Sequence, residues 1–268
     1  MSWAELPQQL QLDRAAVEKQ LRSYPLARFI PTVLHDVAHV PVGPALLVGN
    51  HGPLALDTGL LLHAFHRDTG VVLRGLSDRL LFTNAIGRRV VRNVGAVKGT
   101  RENARALLAH GELVLVYPGG ARETMRDPSQ RYALDWEGRL GFAHIALASQ
   151  VPIVPVACIG ADDVFTQLVA SETMRASLAG RLAAKFIKPD YIPPLYLPKW
   201  APVQFHYFFG EPIAPKPYDA TGGERAEAEV RAHQQSVKRA LEQLIEHGLA
   251  VRNARRLDKQ NGKPRVVA

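Results

Sequence analysis

Short apolar runs, separated by helical stretches at regular intervals, constrain the fold of this chain more than any other feature. They predict five strands, over residues 45–48, 71–73, 95–97, 113–117 and 153–158. The patterns between them predict helices over residues 55–66, 78–92 and 136–149, and one that begins at Thr100. Strands that alternate with helices form a layered sheet with helices on its faces. We therefore predict an α/β fold with a mixed, largely parallel sheet flanked by helices.

Amphipathic helices are predicted at both ends of the chain, over residues 8–30 and 222–249. Shorter elements are predicted between the fifth strand and the last helix, as a helix over 162–170 and a strand over 203–209. This pattern divides the chain into an N-terminal amphipathic helix in residues 1–35, one domain in 36–250 and a basic tail in 251–268. Chain ends are commonly frayed, so we expect the tail to be flexible.

The charge of the chain indicates an anionic partner. The formal net charge is +8, and the tail alone holds six basic residues against Asp258. Nucleic acid, phospholipid headgroups and phosphate-bearing ligands would each attract such a chain, whereas a solvated tail would need no partner. The single cysteine, Cys158, excludes an internal disulfide and a zinc site built from several cysteines.

No secretory or membrane-spanning segment is predicted. Residues 1–21 are polar and charged, without the apolar core of a signal peptide. Residues 140–161 lack Asp, Glu, Lys and Arg, but Pro152 and Pro155 would break a spanning helix. We expect a protein that is soluble or bound to a membrane surface.

The segment Asn50-His51-Gly52-Pro53-Leu54-Ala55-Leu56-Asp57 is the first candidate for chemistry. His51 follows a predicted buried strand, at the edge where open α/β sheets place ligands. The Asp57 carboxylate could orient one imidazole nitrogen and leave the other as a general base. The alternative is that His51 caps a turn and Asp57 caps a helix.

Two further segments also follow predicted strands. Tyr117–Glu123 contains Gly119 and Gly120, which let the backbone approach a ligand, and Arg122, which could bind phosphate or carboxylate. Lys98 and Arg101 stand at a helix start, where an anion could bind, although solvated charges in a turn explain them equally well. Residues 151–156 form the pattern Val-Pro-Ile-Val-Pro-Val, which a buried strand explains.

Taken in order, these four segments resemble the motifs of the glycerolipid acyltransferase superfamily, which includes lysophosphatidic acid and glycerol-3-phosphate acyltransferases. The pattern of that family is Asn-His-four residues-Asp, a glycine-containing acceptor segment, Phe-Pro-Glu-Gly-Thr-Arg and a Val-Pro-Ile-Val-Pro-Val-like strand. The resemblance covers residues 45–165, and more weakly Gly210-Glu-Pro-Ile213. It makes residues 36–250 the acyltransferase domain.

Two departures narrow the resemblance. Five residues separate His51 from Asp57, and Gly119 and Ala121 replace the Glu and Thr of the third motif. Both changes, and Gly160-Ala-Asp-Asp-Val-Phe165, look like the sub-branch of phytyl ester synthase/diacylglycerol acyltransferase-like proteins. Members of that sub-branch acylate neutral acceptors, so the resemblance favours a neutral acceptor over a phosphorylated one.

The resemblance implies an O-acyltransferase that moves a fatty acyl group from acyl-CoA or acyl carrier protein to a hydroxyl of a glycerolipid or other lipid alcohol. Its catalytic residues are then His51 and Asp57. Residues with an implied role in substrate binding are Asn50, Lys98, Arg101, Gly119, Gly120, Arg122 and Glu123. No metal or cofactor is required, and a lysophosphatidic acid acyltransferase is the alternative. The implied location is the cytoplasm, on the inner face of a membrane.

A membrane contact is also predicted from residues 186–200. Aromatic residues lie there among basic ones, a combination suited to a lipid headgroup region, although the segment could instead pack inward. A hydrolase is disfavoured because no Gly-x-Ser-x-Gly motif occurs, and a nucleic-acid-binding module because no such motif is present. A non-catalytic lipid-binding protein on the same fold is the more serious rival.

Overall fold

The computed structural model describes residues 6–136, 138–169, 171–177, 181–182, 185, 195–199 and 203–260. Its strands are β1 (Thr32–His35), β2 (Ala45–Gly49), β3 (Arg74–Ser77), β4 (Val97–Lys98), β5 (Leu113–Val116), β6 (Ile153–Ile159), β7 (Phe165–Val169), β8 (Leu195–Pro198) and β9 (Phe205–Phe209). Its helices are α1 (Arg14–Arg22), α2 (Leu56–Thr69), α3 (Ala85–Asn93), α4 (Arg101–Ala109), α5 (Ala121–Thr124), α6 (Gly141–Ser149), α7 (Ser171–Ala176) and α8 (Gly223–Gln260).

Seven strands form one sheet in the order β1-β9-β6-β2-β5-β3-β4. Strand β2 lies near its centre, parallel to both neighbours, with Val48 opposite Val116 of β5 and Pro155 of β6. Strand β9 runs antiparallel to β6 and parallel to β1. The predicted mixed, largely parallel sheet is therefore confirmed. Strands β7 and β8 form a separate antiparallel pair.

Both faces of the sheet are buried. Along β2, Leu46 and Val48 face a core that α4, α6 and α8 cover, while Ala45 and Leu47 face a second core beneath α1 and α2. All five residues of β2 and all seven of β6 are buried. Continuous apolar strands of this kind are typical of a sheet covered by helices on both faces.

The N-terminal region departs from the predicted single helix over residues 8–30. Helix α1 begins after Asp13, whose carboxylate accepts a hydrogen bond from the Ala16 N–H, and Pro25 lies just beyond its end. Val17 and Leu21 are buried in the core beside α2. Beyond this segment lies the edge strand β1, which the sequence pattern did not predict; Thr32 is its one buried residue, and the other three are half-buried.

Two other elements correct the sequence-based prediction. Residues 71–73 precede the observed strand β3, which contains Arg74, a charged residue whose buried guanidinium donates to the carbonyl oxygens of Gly95 and Leu10. Residues 162–170 were expected to be helical. Residues 161–163 instead form a short turn and residues 165–169 form strand β7, whose backbone pairs with β8. Residue 170 lies outside the described residues.

The last helix is longer than the pattern predicted. It continues from Gly223 to Gln260, so it includes the first ten residues of the segment 251–268. Within that extension, Arg252 forms an ion pair with Asp163 and donates to the Tyr132 hydroxyl. In the described part of the chain, no helix combines the length and apolar character that crossing a bilayer requires.

Candidate active site

The candidate site lies at the carboxyl ends of β2 and β5. Strand β2 ends at Gly49, and the chain then turns sharply through Pro53, Leu54 and Ala55 before α2 begins. Leu54 and Ala55 adopt left-handed conformations, with φ of 56° and 58°. Non-glycine residues rarely adopt this conformation, and strained backbone of this kind is concentrated at functional sites.

This turn brings His51 and Asp57 together. The Nδ1 atom of His51 lies 2.9 Å and 3.0 Å from the two carboxylate oxygens of Asp57. Asp57 is completely buried and also accepts a hydrogen bond from the Gly52 N–H. Because Nδ1 is held by the carboxylate, Nε2 is the ring nitrogen left for a substrate.

Two tyrosines hold the pair in place. The Tyr117 ring, which follows β5, stacks on the His51 imidazole with 4.1 Å between ring centroids and an interplanar angle of 3°. The Tyr207 hydroxyl, from β9, donates to the carbonyl oxygen of Asp57 over 2.6 Å. The Tyr207 ring is buried in the core formed by β2, β6 and β9, and the half-buried Tyr117 ring packs against the same core. They fix the orientation of the imidazole and the start of α2.

A buried carboxylate supports the backbone of His51. Glu123, in α5, accepts hydrogen bonds from the His51 N–H over 2.8 Å and the Asp135 N–H over 3.2 Å. Burial raises the pKa of Glu123 to about 7, although Arg126 and these donors lower it. A Cβ atom on Gly119 would lie 2.1 Å from the Glu123 Cδ. The glycine therefore leaves the space that this carboxyl group fills.

Arg126 supports the same loop from the other side. Its guanidinium donates to the carbonyl oxygens of His51 and Ala133, and lies 3.4 Å from a carboxylate oxygen of Asp162. Arg126 and Asp162 are both buried. The backbone N–H of His51 is thus bound to Glu123, and its backbone carbonyl oxygen is bound to Arg126.

Asn50 lies behind the loop, away from the cavity. Its side-chain oxygen accepts from the Cys158 N–H over 2.7 Å, and its side-chain nitrogen donates to the Cys158 carbonyl over 3.0 Å. The structure therefore places this side chain between β2 and β6. The Cys158 thiol is buried, and burial raises its pKa far above the usual value, which makes it a poor nucleophile.

A cavity of about 840 Å³ opens beside His51. Most of its lining side chains are apolar, and they come from β3, α3, β5, α6 and the turns before α2 and α3. Arg101 and Gly120, two of the residues predicted from the sequence, also line it, together with Arg139. This volume lies within the range of small-molecule sites, and its apolar walls suit an acyl chain.

The remaining predicted residues lie around this cavity in different settings. Lys98 is exposed, and its carbonyl accepts from the Asn103 side chain. Thr100 caps α4, as predicted, by accepting from the Asn103 N–H. Arg122 is half-buried in α5. Within the part of the chain that the structure describes, no three His, Cys, Asp or Glu side chains are grouped as metal ligands.

Sequence reasoning missed two arginines and the stacking role of Tyr117. Arg139 donates from Nη1 to the carbonyl oxygens of Pro118 and Gly119, both over 2.9 Å. It thus fixes the turn over residues 117–120, which we call the glycine turn, from a position twenty residues further along the chain. Arg126 and Arg139 lie outside the four segments, so no spacing connects them to His51. Tyr117 stood inside a segment, but its stacking depends on the register of β5 against β2.

Comparisons with known proteins find an acyltransferase family and enzymes of lipid synthesis. A model of the family described as Acyltransferase matches residues 32–159. Phytyl ester synthase 1, chloroplastic, of Arabidopsis thaliana is 29% identical over 213 residues, or 69% of this chain and 30% of that protein. A DGAT1/2-independent enzyme synthesizing storage lipids, of Gallus gallus, is 32% identical over 190 residues, or 69% of this chain and 52% of that protein.

The chain thus spans about a third to a half of these curated relatives. Among solved structures, the 1-acyl-sn-glycerophosphate acyltransferase PlsC of Thermotoga maritima matches with a TM-score of 0.50 and 18% identity. The match covers 86% of this chain and 79% of that one. At this identity the likeness shows a common fold.

Proposed function

Since the chain belongs to the glycerolipid acyltransferase superfamily, we propose that it moves a fatty acyl group from an acyl thioester to a lipid hydroxyl. One observation carries the proposal. A histidine held by a fully buried carboxylate stands in the wall of a large, mainly apolar cavity. A non-catalytic lipid-binding protein would have no need of the buried carboxylate at Nδ1.

His51 is the general base in this reaction. Its Nε2 takes the proton from the acceptor hydroxyl as the hydroxyl oxygen attacks the thioester carbonyl. The tetrahedral intermediate collapses, the C–S bond breaks, and the thiolate takes the proton from the imidazolium. Asp57, at 2.9 Å from Nδ1, stabilises that imidazolium and keeps the neutral ring in the tautomer that exposes a free Nε2.

The glycine turn is our candidate for binding the oxyanion. Arg139 engages the carbonyl oxygens of Pro118 and Gly119, which directs these acceptors away from a developing negative charge. The Gly120 N–H already donates to the Tyr117 carbonyl. We therefore assign the oxyanion to the Gly119 N–H. A donor of this kind is worth about 2.7–4 kcal/mol in acyl transfer.

A neutral acceptor is the favoured substrate. At position 119 a carboxylate is replaced by glycine, as in the sub-branch that the sequence resembles, and the relatives from Arabidopsis and Gallus are named for phytyl esters and storage lipids. Arg101 in the cavity wall favours the alternative, a lysophosphatidic acid, because its guanidinium could meet a phosphate. Arg101 could instead meet a phosphate of CoA, if acyl-CoA is the donor. Acyl carrier protein is the other candidate donor.

We also propose that the enzyme works on the inner face of a membrane.

The test is an acceptor panel with labelled palmitoyl-CoA. It includes monoacylglycerol, diacylglycerol, a long-chain alcohol and lysophosphatidic acid. We expect turnover on the neutral acceptors, lost in His51→Ala and retained in His247→Ala, a matched substitution of an exposed histidine on α8. Turnover only on lysophosphatidic acid would reverse the acceptor assignment. Turnover that survives His51→Ala would show that His51 is not the general base. If lipid binds but no turnover occurs with either palmitoyl-CoA or acyl carrier protein as donor, the lipid-binding rival is favoured.

A further inference from the structure

The segment from Asp78 to Arg92 exposes apolar side chains at the mouth of the cavity. It comprises a short turn, Arg79–Phe82, and helix α3, and we call it the 78–92 platform. Its exposed large apolar residues are Leu80, Leu81, Ile86 and Val90. Ile86 is 78% exposed and Val90 is 61% exposed. Contiguous apolar surface of this kind marks an interaction site more often than isolated exposed residues do.

Positive charge surrounds these apolar side chains. The platform contains four exposed arginines, Arg79, Arg88, Arg89 and Arg92. Asp78 is its one acidic residue. Glu102 on the neighbouring α4 has a lowered pKa, mainly through hydrogen bonds to its own backbone and to Thr100, with a smaller contribution from Arg101 and Arg79. The platform therefore keeps a net positive charge. Apolar and cationic residues on one short amphipathic helix are the combination that binds an anionic lipid surface.

The platform is continuous with the cavity. Leu80, Leu81 and Val90 are exposed to solvent and also line the cavity wall, while the buried Val91 lines it from within. A lipid that touches the outer surface of the platform would thus meet an uninterrupted apolar path toward His51. The N-terminal helix does not offer this, because Val17 and Leu21 of α1 are buried. Residues 186–194 and 200 of the segment that the sequence analysis singled out lie outside the described residues.

Local contacts hold the two parts of the platform together. The Asp78 carboxylate accepts from the Leu80 N–H, and the Asn84 side chain accepts from the Gly87 N–H. A Cβ atom on Gly87 would lie 2.5 Å from the Leu81 carbonyl oxygen. The glycine thus lets α3 pass directly over the preceding turn, so that both sets of apolar side chains share one surface.

We propose that the 78–92 platform docks the protein onto an anionic lipid bilayer, with the cavity mouth against the membrane. The delivery of lipid substrates through this docking rests on the proposed function, whereas binding to vesicles is independent of it. An acidic carrier protein would match the arginines, but it would leave the exposed Leu80, Leu81, Ile86 and Val90 without a purpose. A bilayer accounts for both groups of side chains at once.

The experiment is co-sedimentation of the full chain with vesicles of phosphatidylcholine alone or mixed equally with phosphatidylglycerol. We expect binding to the mixed vesicles. Arg88→Gln/Arg89→Gln should weaken it by about fivefold per arginine, and Ile86→Glu by about tenfold or more. The matched controls are Lys238→Gln/Arg239→Gln on α8 and Val42→Glu. Val42 is fully exposed and precedes the amino end of β2, whereas the platform follows the carboxyl end of β3, which runs in the same direction.

Several results would overturn the proposal. These are equal binding to the uncharged vesicles, equal losses in the platform and control variants, or binding of a carrier protein without binding of vesicles. A dimer that Ile86→Glu dissociates, with vesicle binding unchanged, would assign the platform to a second copy of the chain. Thermal unfolding confirms that each variant folds. His51→Ala should bind vesicles as the wild type does, so failure of the catalytic proposal stays distinguishable from failure of this one.

Discussion

Replacing Gly119 by alanine tests how the glycine turn and the loop that carries His51 depend on each other. The new Cβ would lie 2.1 Å from the Cδ and 2.3 Å from the Oε1 of Glu123, well inside contact distance. The carboxyl group would have to move. It accepts hydrogen bonds from the N–H groups of His51 and Asp135, so moving it breaks one buried and one partly buried hydrogen bond.

The magnitude follows from those two bonds. Hydrogen bonds to charged groups contribute about 1.5–3 kcal/mol each, and overpacking alone costs about 1–3 kcal/mol. We expect Gly119→Ala to lower the free energy of unfolding by about 3 kcal/mol or more. Because the His51 backbone loses its carboxylate, turnover should fall by about tenfold or more, which steady-state kinetics would measure alongside urea unfolding.

A matched control and a double variant make the result decisive. Gly141 opens helix α6, and its nearest neighbour would be 4.0 Å from a new Cβ, so Gly141→Ala should be neutral or slightly stabilising. If displacement of Glu123 is the cause, Gly119→Ala/Glu123→Ala should cost no more than Glu123→Ala alone. A loss under about 1 kcal/mol for Gly119→Ala, or full additivity in the double variant, would refute the reasoning.

Three further predictions concern the same site. Asp57→Asn should reduce turnover by about 10⁴-fold through the wrong histidine tautomer, with vesicle binding unchanged; a reduction below tenfold contradicts the orienting role. Burial raises the pKa of Glu123 from 4.5 to about 7, so its contribution to stability is complete below pH 4.5 and is lost as the pH rises through 7. Unfolding of wild type and Glu123→Gln at pH 5 and pH 8 should show this as a pH-dependent difference of about 2–3 kcal/mol, and a constant difference would count against it. Tyr207→Phe should lower stability by about 1–3 kcal/mol, since it leaves the buried Asp57 carbonyl without its 2.6 Å donor; an unchanged unfolding midpoint would show that the bond contributes nothing.

The sequence predicted those parts of the molecule that local patterns determine. Strands β2, β5 and β6 are continuous apolar runs, and they are buried on both faces, so their positions were clear. Strand β3 begins three residues later than predicted, because the apolar run over 71–73 stops at the charged Arg74, where the observed strand starts. Its charge is compensated by Glu112, 3.8 Å away, and by two carbonyl oxygens from distant segments.

The same distinction applies to the site. His51 and Asp57 lie six residues apart, so their pairing could be read from the loop between them. The positions of Glu123, Arg126 and Arg139 depend on how β5 and the chain after it lie against β2, which no local pattern reports. Glu123 was assigned to the substrate on the strength of a motif. The structure places its carboxyl group on the backbone of His51.

The contacts of Asn50 have a consequence for how a catalytic loop can leave a sheet. A strand that ends beside a longer neighbour leaves that neighbour with unpaired peptide groups, which are costly when buried. Strand β2 ends at Gly49, but β6 continues to Ile159. The primary amide of Asn50 has the same donor and acceptor as a peptide bond, and it meets both peptide groups of Cys158. The Asn50 side chain thus makes the hydrogen bonds that one more residue of main chain would make, and the main chain itself leaves the sheet one residue earlier, so that His51 reaches the cavity.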